Sequence, residues 1–208
     1  MKGKFITFEG CEGSGKSTQV KLFCEYLDKN GVEYLLTREP GGTKIAEKIR
    51  GIILDVENAE MSNETEALLY AAARAQHVSE KIIPALNEGK LVICDRYIDS
   101  SLAYQAYARG LGYDYVSSVN SYAFNNCMPN YTVFLNIGPT EAFIRKGGQD
   151  KDDRLEQAGL KFHEEVYKGY KKVIEKDPER FLLIDCSGEI ENTHTNIINA
   201  LKIKGVIK

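Results

Sequence analysis

The residues Gly10-Cys11-Glu12-Gly13-Ser14-Gly15-Lys16-Ser17-Thr18 carry the spacing Gly-x-x-x-x-Gly-Lys-Ser, which is suited to holding a triphosphate. The glycines let the backbone turn tightly enough for several N–H groups to point into one space. Lys16 places a point charge on the outer phosphates, and the Ser17 hydroxyl is a ligand type that Mg²⁺ accepts. Cys11 occupies a variable position of the loop, so its side chain reads as a bystander. A second set of polar residues, Arg38, Asp95 and Arg96, lies far along the chain. Arg38 reads equally as a solvated loop arginine or as an anion ligand. Asp95, at the end of an apolar run, suits a metal or a helix cap, and the upstream loop favours the metal.

The elements that must position these groups follow from hydrophobic pattern. Lys4 to Phe8 reads as a strand and Gln19 to Leu27 as a helix, so the loop sits between strand and helix, and that helix adds its positive dipole end to the anion site. Further apolar runs at Tyr34–Thr37, Leu91–Cys94, Thr132–Ile137 and Phe181–Ile184 do not alternate in polarity. Continuous apolar strands interleaved with helices predict an α/β fold whose parallel sheet is covered on both faces. Ligands bind such sheets beyond the carboxyl ends of the strands. The residues there are Glu9 to Ser17, Arg38-Glu39, Asp95-Arg96 and Asp185.

Between the strands, Pro40-Gly41-Gly42 forms a turn and Thr43 caps a helix through Ile53. A long helix is predicted from Asn63 to about Leu86, with Leu68, Leu69, Ala72 and Ala75 on its core face. Tyr70 and Arg74 are neighbours on one face of it, either as packing plus a surface charge or as a stacking surface and planar donor for a base. Asp99, Ser100 and Ser101 read as a cap for the helix carrying Tyr104 and Gln105, and Tyr113 to Asn126 as scaffold. The glycine-rich, charged segment at about 138–159 reads as a lid or as a solvated loop between helices. Leu155 to about Lys176 reads as an amphipathic helix, with His163 and His194 on the surface.

The bulk properties narrow the classes. A chain of 208 residues with 43% hydrophobic and 27% charged residues suits one soluble globular domain, 1–208. Its net charge of −3 offers no general basic field for nucleic acid, so bound anions must be held by local groups. Five scattered cysteines without a Cys-x-x-Cys pair fit a reducing cytoplasm better than a disulfide framework or a zinc site. No apolar run is long enough for a membrane span, and none near the start suits a secretory signal.

Taken together, the motifs resemble those of the thymidylate kinase family along nearly the whole chain. The resemblance rests on Phe8-Glu9-Gly10-x-Glu12-Gly13-x-Gly15-Lys16-Ser17-Thr18, on Thr37-Arg38-Glu39-Pro40-Gly41-Gly42-Thr43 and on Arg74-Ala75-Gln76-His77. It is extended by Asp95-Arg96-Tyr97-x-Asp99-Ser100-Ser101-x-Ala103-Tyr104-Gln105 and by Asp153-Arg154-x-Glu156 leading to Phe162-His163-Glu164. The phosphate loop alone implies only a nucleoside triphosphate; the later segments are far more specific.

The resemblance implies a three-layer P-loop nucleoside-monophosphate-kinase fold with a five-stranded parallel sheet. It implies phosphorylation of dTMP to dTDP by ATP and Mg²⁺, in dTTP synthesis, by a homodimer. Gly10 to Thr18, with Arg145, would hold ATP, and Ser17 and Asp95 would serve the metal. Glu12, Lys16, Arg96 and Arg154 would be catalytic. Arg38, Tyr70, Arg74, Arg96, Ser101, Tyr104 and Gln105 would bind dTMP, with Tyr70 where the family usually has Phe and Tyr104 excluding a ribose 2′-hydroxyl. Gly13 stands where some members carry a basic residue, which moves the catalytic cation to the lid, with Arg145 and Arg154 as candidates beside Lys146 and Lys151. Ala73 and Ala106 depart from the family's common Asp and Gly. The rival within the fold is another nucleotide or nucleoside kinase with a different base preference. A switch GTPase is disfavoured because no Asn-Lys-x-Asp segment is present, and a partner-driving ATPase because it needs no second anion site. The intact Lys16, Ser17 and Asp95 argue against a binding protein that has lost catalysis.

Overall fold

Five apolar runs become the strands β1 (Phe5–Gly10), β2 (Tyr34–Arg38), β3 (Leu91–Asp95), β4 (Tyr131–Asn136) and β5 (Phe181–Asp185). The computed structural model describes residues 2–145 and 159–208. All strands are parallel, in the order β2-β3-β1-β4-β5. The inner strands are buried almost throughout, which explains their lack of alternation. The edge strands each leave one apolar side chain half exposed, Leu36 on β2 and Leu183 on β5.

The pleat divides the core in two. Ile6, Phe8, Leu91, Ile93, Val133 and Leu135 face α1 (Lys16–Lys29) and α10 (Ile190–Ile203). Phe5, Val92, Cys94 and Phe134 face the opposite layer. That layer includes α4 (Ile83–Asn87), α5 (Ile98–Ser101), α6 (Tyr113–Val119), α7 (Ser121–Asn126) and α9 (Gly159–Lys176). The remaining helices are α2 (Lys44–Leu54), α3 (Asn63–His77) and α8 (Pro139–Arg145). Among the described residues no helix is long and apolar enough to cross a membrane. The five cysteines are all free and buried.

The chain leaves β1 for one side of the sheet and later returns to the other side, at β4. The end of β1 is therefore the switch point where open parallel sheets bind ligands. Thr43 caps α2 as expected, its hydroxyl accepting from the Ala46 N–H.

Several expectations need correction. The long helix is α3 followed by a π-helical turn, Val78–Ile82, and then α4. Its buried face is not Leu68, Leu69, Ala72 and Ala75 but Glu66, Ala67, Ala71, Ala73, Arg74 and His77. The polar members of this face find buried partners, so the helix turns them inward and leaves Leu68 51% exposed. Asp99 is not a cap: it lies within α5, wholly buried and ion-paired with Arg180 at 2.7 Å. Tyr104 and Gln105 sit on a π-helical segment, Leu102–Ala108. The scaffold helix at 113–126 is broken at Asn120, whose amide accepts from Arg74. Most of the expected lid, and with it Lys146, Lys151, Arg154 and the start of the helix expected from Leu155, lies outside the described residues.

Candidate active site

The phosphate loop follows directly from the carboxyl end of β1. Gly13 and Gly15 take φ of 78° and 84°, values that L side chains rarely adopt. A Cβ on Gly13 would lie 2.2 Å from the carbonyl oxygen of Ala142 on α8, so no side chain fits there while α8 stays in place. Lys16 opens α1, whose first turn has neither a side-chain cap nor an acidic residue. Its free N–H groups are thus presented to an anion. The buried Ser14 hydroxyl has no hydrogen-bond partner among the described residues, as suits a loop built around phosphate. Cys11 is buried, and burial above all pushes its thiol up to about 12, in keeping with a bystander side chain.

Lys16 Nζ lies 2.7 Å from Asp95 Oδ1 at the end of β3. Ser17 and Asp95 line one opening beside α1. Both offer oxygen, the donor type Mg²⁺ takes. Among the described residues no group of three or more His, Cys, Asp or Glu could hold a metal.

Asp95 also borders a cavity of about 200 Å³, where the structure brings together most of the residues selected from sequence. Glu12, Lys16, Arg38, Tyr70, Arg74, Arg96, Ser101, Tyr104 and Gln105 all line it. Five cationic side chains face three acidic ones there, in a chain whose net charge is −3. Positive charge is thus concentrated in this cavity.

Arg96 is the only non-glycine residue with positive φ among the described residues, at 64°. Such a backbone costs about 1–3 kcal/mol and is kept only where the surroundings enforce it. Here its N–H is held by the Phe8 carbonyl at 3.0 Å. The two protons of Nη1 are shared among the Gly10 carbonyl at 3.2 Å, Ser100 Oγ at 3.3 Å and Tyr170 Oη at 3.2 Å, while Nη2 pairs with Glu12. The guanidinium also lies 5.4 Å from the centre of the Tyr104 ring. Burial works against its charge, but Tyr104, Glu12, Tyr170 and Glu9 more than offset this and keep it protonated.

Arg74 also lines the cavity and is 2% exposed. Nε binds Glu39 at 2.7 Å, Nη1 reaches Ser101 at 2.9 Å and Asn120 at 2.6 Å, and Nη2 donates to the Tyr97 carbonyl at 3.1 Å. Four of its five N–H groups are thereby committed to described residues. Gln105 donates to buried Glu66 at 2.9 Å. The Tyr104 hydroxyl is buried without a partner among the described residues.

Some placements depart from sequence reasoning. Arg145 does not line the cavity; it donates to the Cys186 carbonyl at 2.6 Å and pairs with Glu141 at 2.9 Å. Arg154 lies outside the described residues. His163 is not on the surface: it is 8% exposed and lines the cavity. It belongs to the buried stripe of α9 with Val166, Tyr170 and Val173, a spacing that could have revealed it. His194 is half-buried on α10. Arg50 was missed altogether; from α2 it lines the cavity and donates to the Pro40 carbonyl at 2.9 Å. Tyr170 was missed because no local pattern links it to β1, 161 residues away.

Comparison with known proteins agrees with this geometry. The family model for thymidylate kinase matches residues 8–197. The thymidylate kinase of Finegoldia magna is 48% identical over 203 residues, covering 98% of this chain and 100% of the relative. Those of Thermoanaerobacter pseudethanolicus and Bacillus licheniformis are 50% identical over 202 and 204 residues, covering 97% of this chain and 98% and 96% of the relatives.

Proposed function

The chain belongs to the thymidylate kinase family, and from that premise we propose that it transfers the γ-phosphoryl of ATP to the 5′-phosphate of dTMP. The products are dTDP and ADP, and the role is dTTP synthesis. The observation that carries this reading is one cavity that Lys16 of the phosphate loop shares with Arg38, Arg50 and Arg96, cations enough for a donor and an acceptor phosphate.

An oxygen of the acceptor phosphate attacks Pγ in line as the bond to the β,γ-bridging oxygen breaks. The acceptor is already anionic, so no strong base is needed. The work falls to alignment and positive charge: Lys16 on the outer phosphates, Arg96 between donor and acceptor, Arg38 on the acceptor phosphate. Ser17 and Asp95 would hold Mg²⁺, which when bound neutralises charge on the ATP phosphates. Tyr70 offers a face for the thymine ring, and the remaining N–H of Arg74 suits a base carbonyl. Glu12 faces the acceptor sugar, Ser101 braces Arg74, and Tyr104 with Gln105 closes the sugar and base side. Gly13, by excluding a side chain from the loop, supports a catalytic cation from the lid, with Arg154 as the candidate; Arg145 is better placed as a brace of α8 against the end of β5.

Exposed Ile45, Ile52 and Val56, on and just beyond α2, and Leu68 on neighbouring α3 support a homodimer. Sedimentation equilibrium at micromolar concentration checks it, and a monomer there removes it. Five free cysteines suit the cytoplasm.

The test of the reaction is ADP release from ATP·Mg²⁺ with dTMP, dUMP, dCMP, AMP or the ribose analogue of dTMP supplied singly. Strong turnover with dTMP and weaker turnover with dUMP is the expected result, because one methyl is worth about 1–3 kcal/mol. Release that ignores every acceptor would replace the kinase reading with an ATPase.

A further inference from the structure

A carboxylate that phosphoryl transfer does not itself use lies directly beneath Arg96. Glu9, one residue from the end of β1, is wholly buried. Its Oε1 accepts from the backbone N–H groups of Tyr97 at 2.7 Å and Ser100 at 3.2 Å. Its Oε2 accepts from the hydroxyls of Ser100 at 2.6 Å and Tyr170 at 2.8 Å. These two hydroxyls, 2.9 Å apart, are the same two that accept from Arg96 Nη1.

We propose that Glu9 is a positioning residue for phosphoryl transfer, acting through the Ser100 and Tyr170 hydroxyls to hold the Arg96 guanidinium between the phosphate loop and the acceptor phosphate. The inference rests on the role given to Arg96 above. A hydroxyl has one proton and two lone pairs. With Glu9 ionised, both hydroxyls donate to Oε2, and all their lone pairs are free for Arg96. The carboxylate also polarises the two hydroxyls, which strengthens the bonds they accept from the guanidinium. With Glu9 protonated, the proton must sit on Oε2, because Oε1 faces two backbone N–H groups that can only donate. It then takes a lone pair from one hydroxyl, whose own proton turns to the other hydroxyl or toward Arg96. Either way Arg96 loses acceptor capacity, and the negative charge beneath it disappears.

The surroundings place this change near neutrality. Burial raises the Glu9 carboxyl to about 7, and Asp99 adds to the rise, while Arg96 and the hydrogen bonds from Ser100 and Tyr170 oppose it. The Cys94 thiol on β3 also interacts with Glu9, and the charge of Asp99 is itself offset by its ion pair with Arg180. For a carboxyl with a raised native value, the share of stability it supplies is full at low pH and is lost as pH rises toward that value. Activity has the opposite sign, because the ionised form is the one that holds Arg96. The fold thus gives up some stability to keep a charge where turnover needs it.

The test is kcat at saturating ATP·Mg²⁺ and dTMP from about pH 6 to about pH 9, for the full chain and for Glu9→Gln, which imitates the protonated form. Substrate phosphates also titrate near pH 6, but identically for both proteins, so their effect cancels in the ratio. The ratio of wild type to variant is expected to rise about tenfold across neutrality, the worth of one hydrogen bond to a charged group. A constant ratio, whatever its size, overturns the proposal and leaves Glu9 a structural residue. Should Glu9→Gln not fold, Tyr170→Phe serves: removing a bond that lowers the Glu9 carboxyl must move the acid limb of kcat to higher pH. An unmoved limb counts against the proposal. Absence of dTMP turnover in the wild type would instead overturn the kinase reading, so the two failures are distinguishable.

Discussion

Arg38 and Arg74 reach one cavity in opposite physical states. The Arg38 side chain is 46% exposed and lightly tethered, to Glu47 at 3.1 Å and to the Pro40 carbonyl at 2.9 Å. Arg74 is almost wholly buried and carries four hydrogen bonds. The difference begins in the pleat at the end of β2. Thr37 and Glu39 turn inward, toward α3, while Arg38 between them turns out. Glu39 then binds Arg74 at 2.7 Å and His77 at 2.9 Å, and His77 returns to Thr37 at 2.7 Å. In the roles proposed above, the buried and braced Arg74 would read a planar base, and the exposed, lightly tethered Arg38 would collect a phosphate arriving from solvent.

Removal of the buried counter-charge should separate the two arginines most sharply. Glu39→Ala leaves the Arg74 guanidinium without its carboxylate and His77 without its Nδ1 partner. Loss of one member of a buried ion pair costs about 3–5 kcal/mol, read by urea denaturation. A loss below about 1 kcal/mol, the range of surface pairs, would mean that Arg74 is no more locked than Arg38.

Arg38→Ala is expected to have the complementary profile. Stability should stay within about 1 kcal/mol of wild type, because the pair with Glu47 is exposed. The dTMP KM should rise about 10–100-fold, the worth of a charge-assisted hydrogen bond to phosphate. Denaturation and steady-state kinetics on one preparation measure both. An unchanged KM would pass the phosphate to Arg50 and Arg96 alone.

The two arginines also show what was legible in the sequence. Strand ends, the phosphate loop and the Thr43 cap follow from local pattern, and the structure places them within a residue or two. Arg38, Asp95, Arg96 and the phosphate loop were legible because parallel sheets gather strand ends on one edge, whereas Tyr70, Arg74, Ser101, Tyr104 and Gln105 lie on helices and were assigned to the site only by the family resemblance. What escaped was the state of each residue. Arg74 lies on a helix face that looks polar, and it is buried only because Glu39, Ser101 and Asn120 arrive from three distant segments. The same blindness misplaced the α3 core face, since buried polar groups with partners are indistinguishable in sequence from solvated ones. The specific role of Glu9 and the places of Arg50 and Tyr170 escaped for related reasons, because each is set by neighbours far along the chain.

Glu47 Oε2 pairs with Arg38, and Oε1 accepts from the Gly42 N–H at 2.7 Å. Burial works against the carboxylate, but the Gly42 N–H and Arg38 outweigh it and hold its carboxyl below the usual value. Glu47→Gln keeps an acceptor for Gly42 and removes the charge that competes with substrate for Arg38. If Arg38 works by being free, the dTMP KM should fall by about two- to threefold, the scale of an exposed ion pair. The gain should shrink at high salt, where screening weakens the wild-type pair as well. A rise in KM would reverse the argument: Glu47 would then be holding Arg38 in its working geometry, and the two arginines would differ in exposure but not in preorganisation.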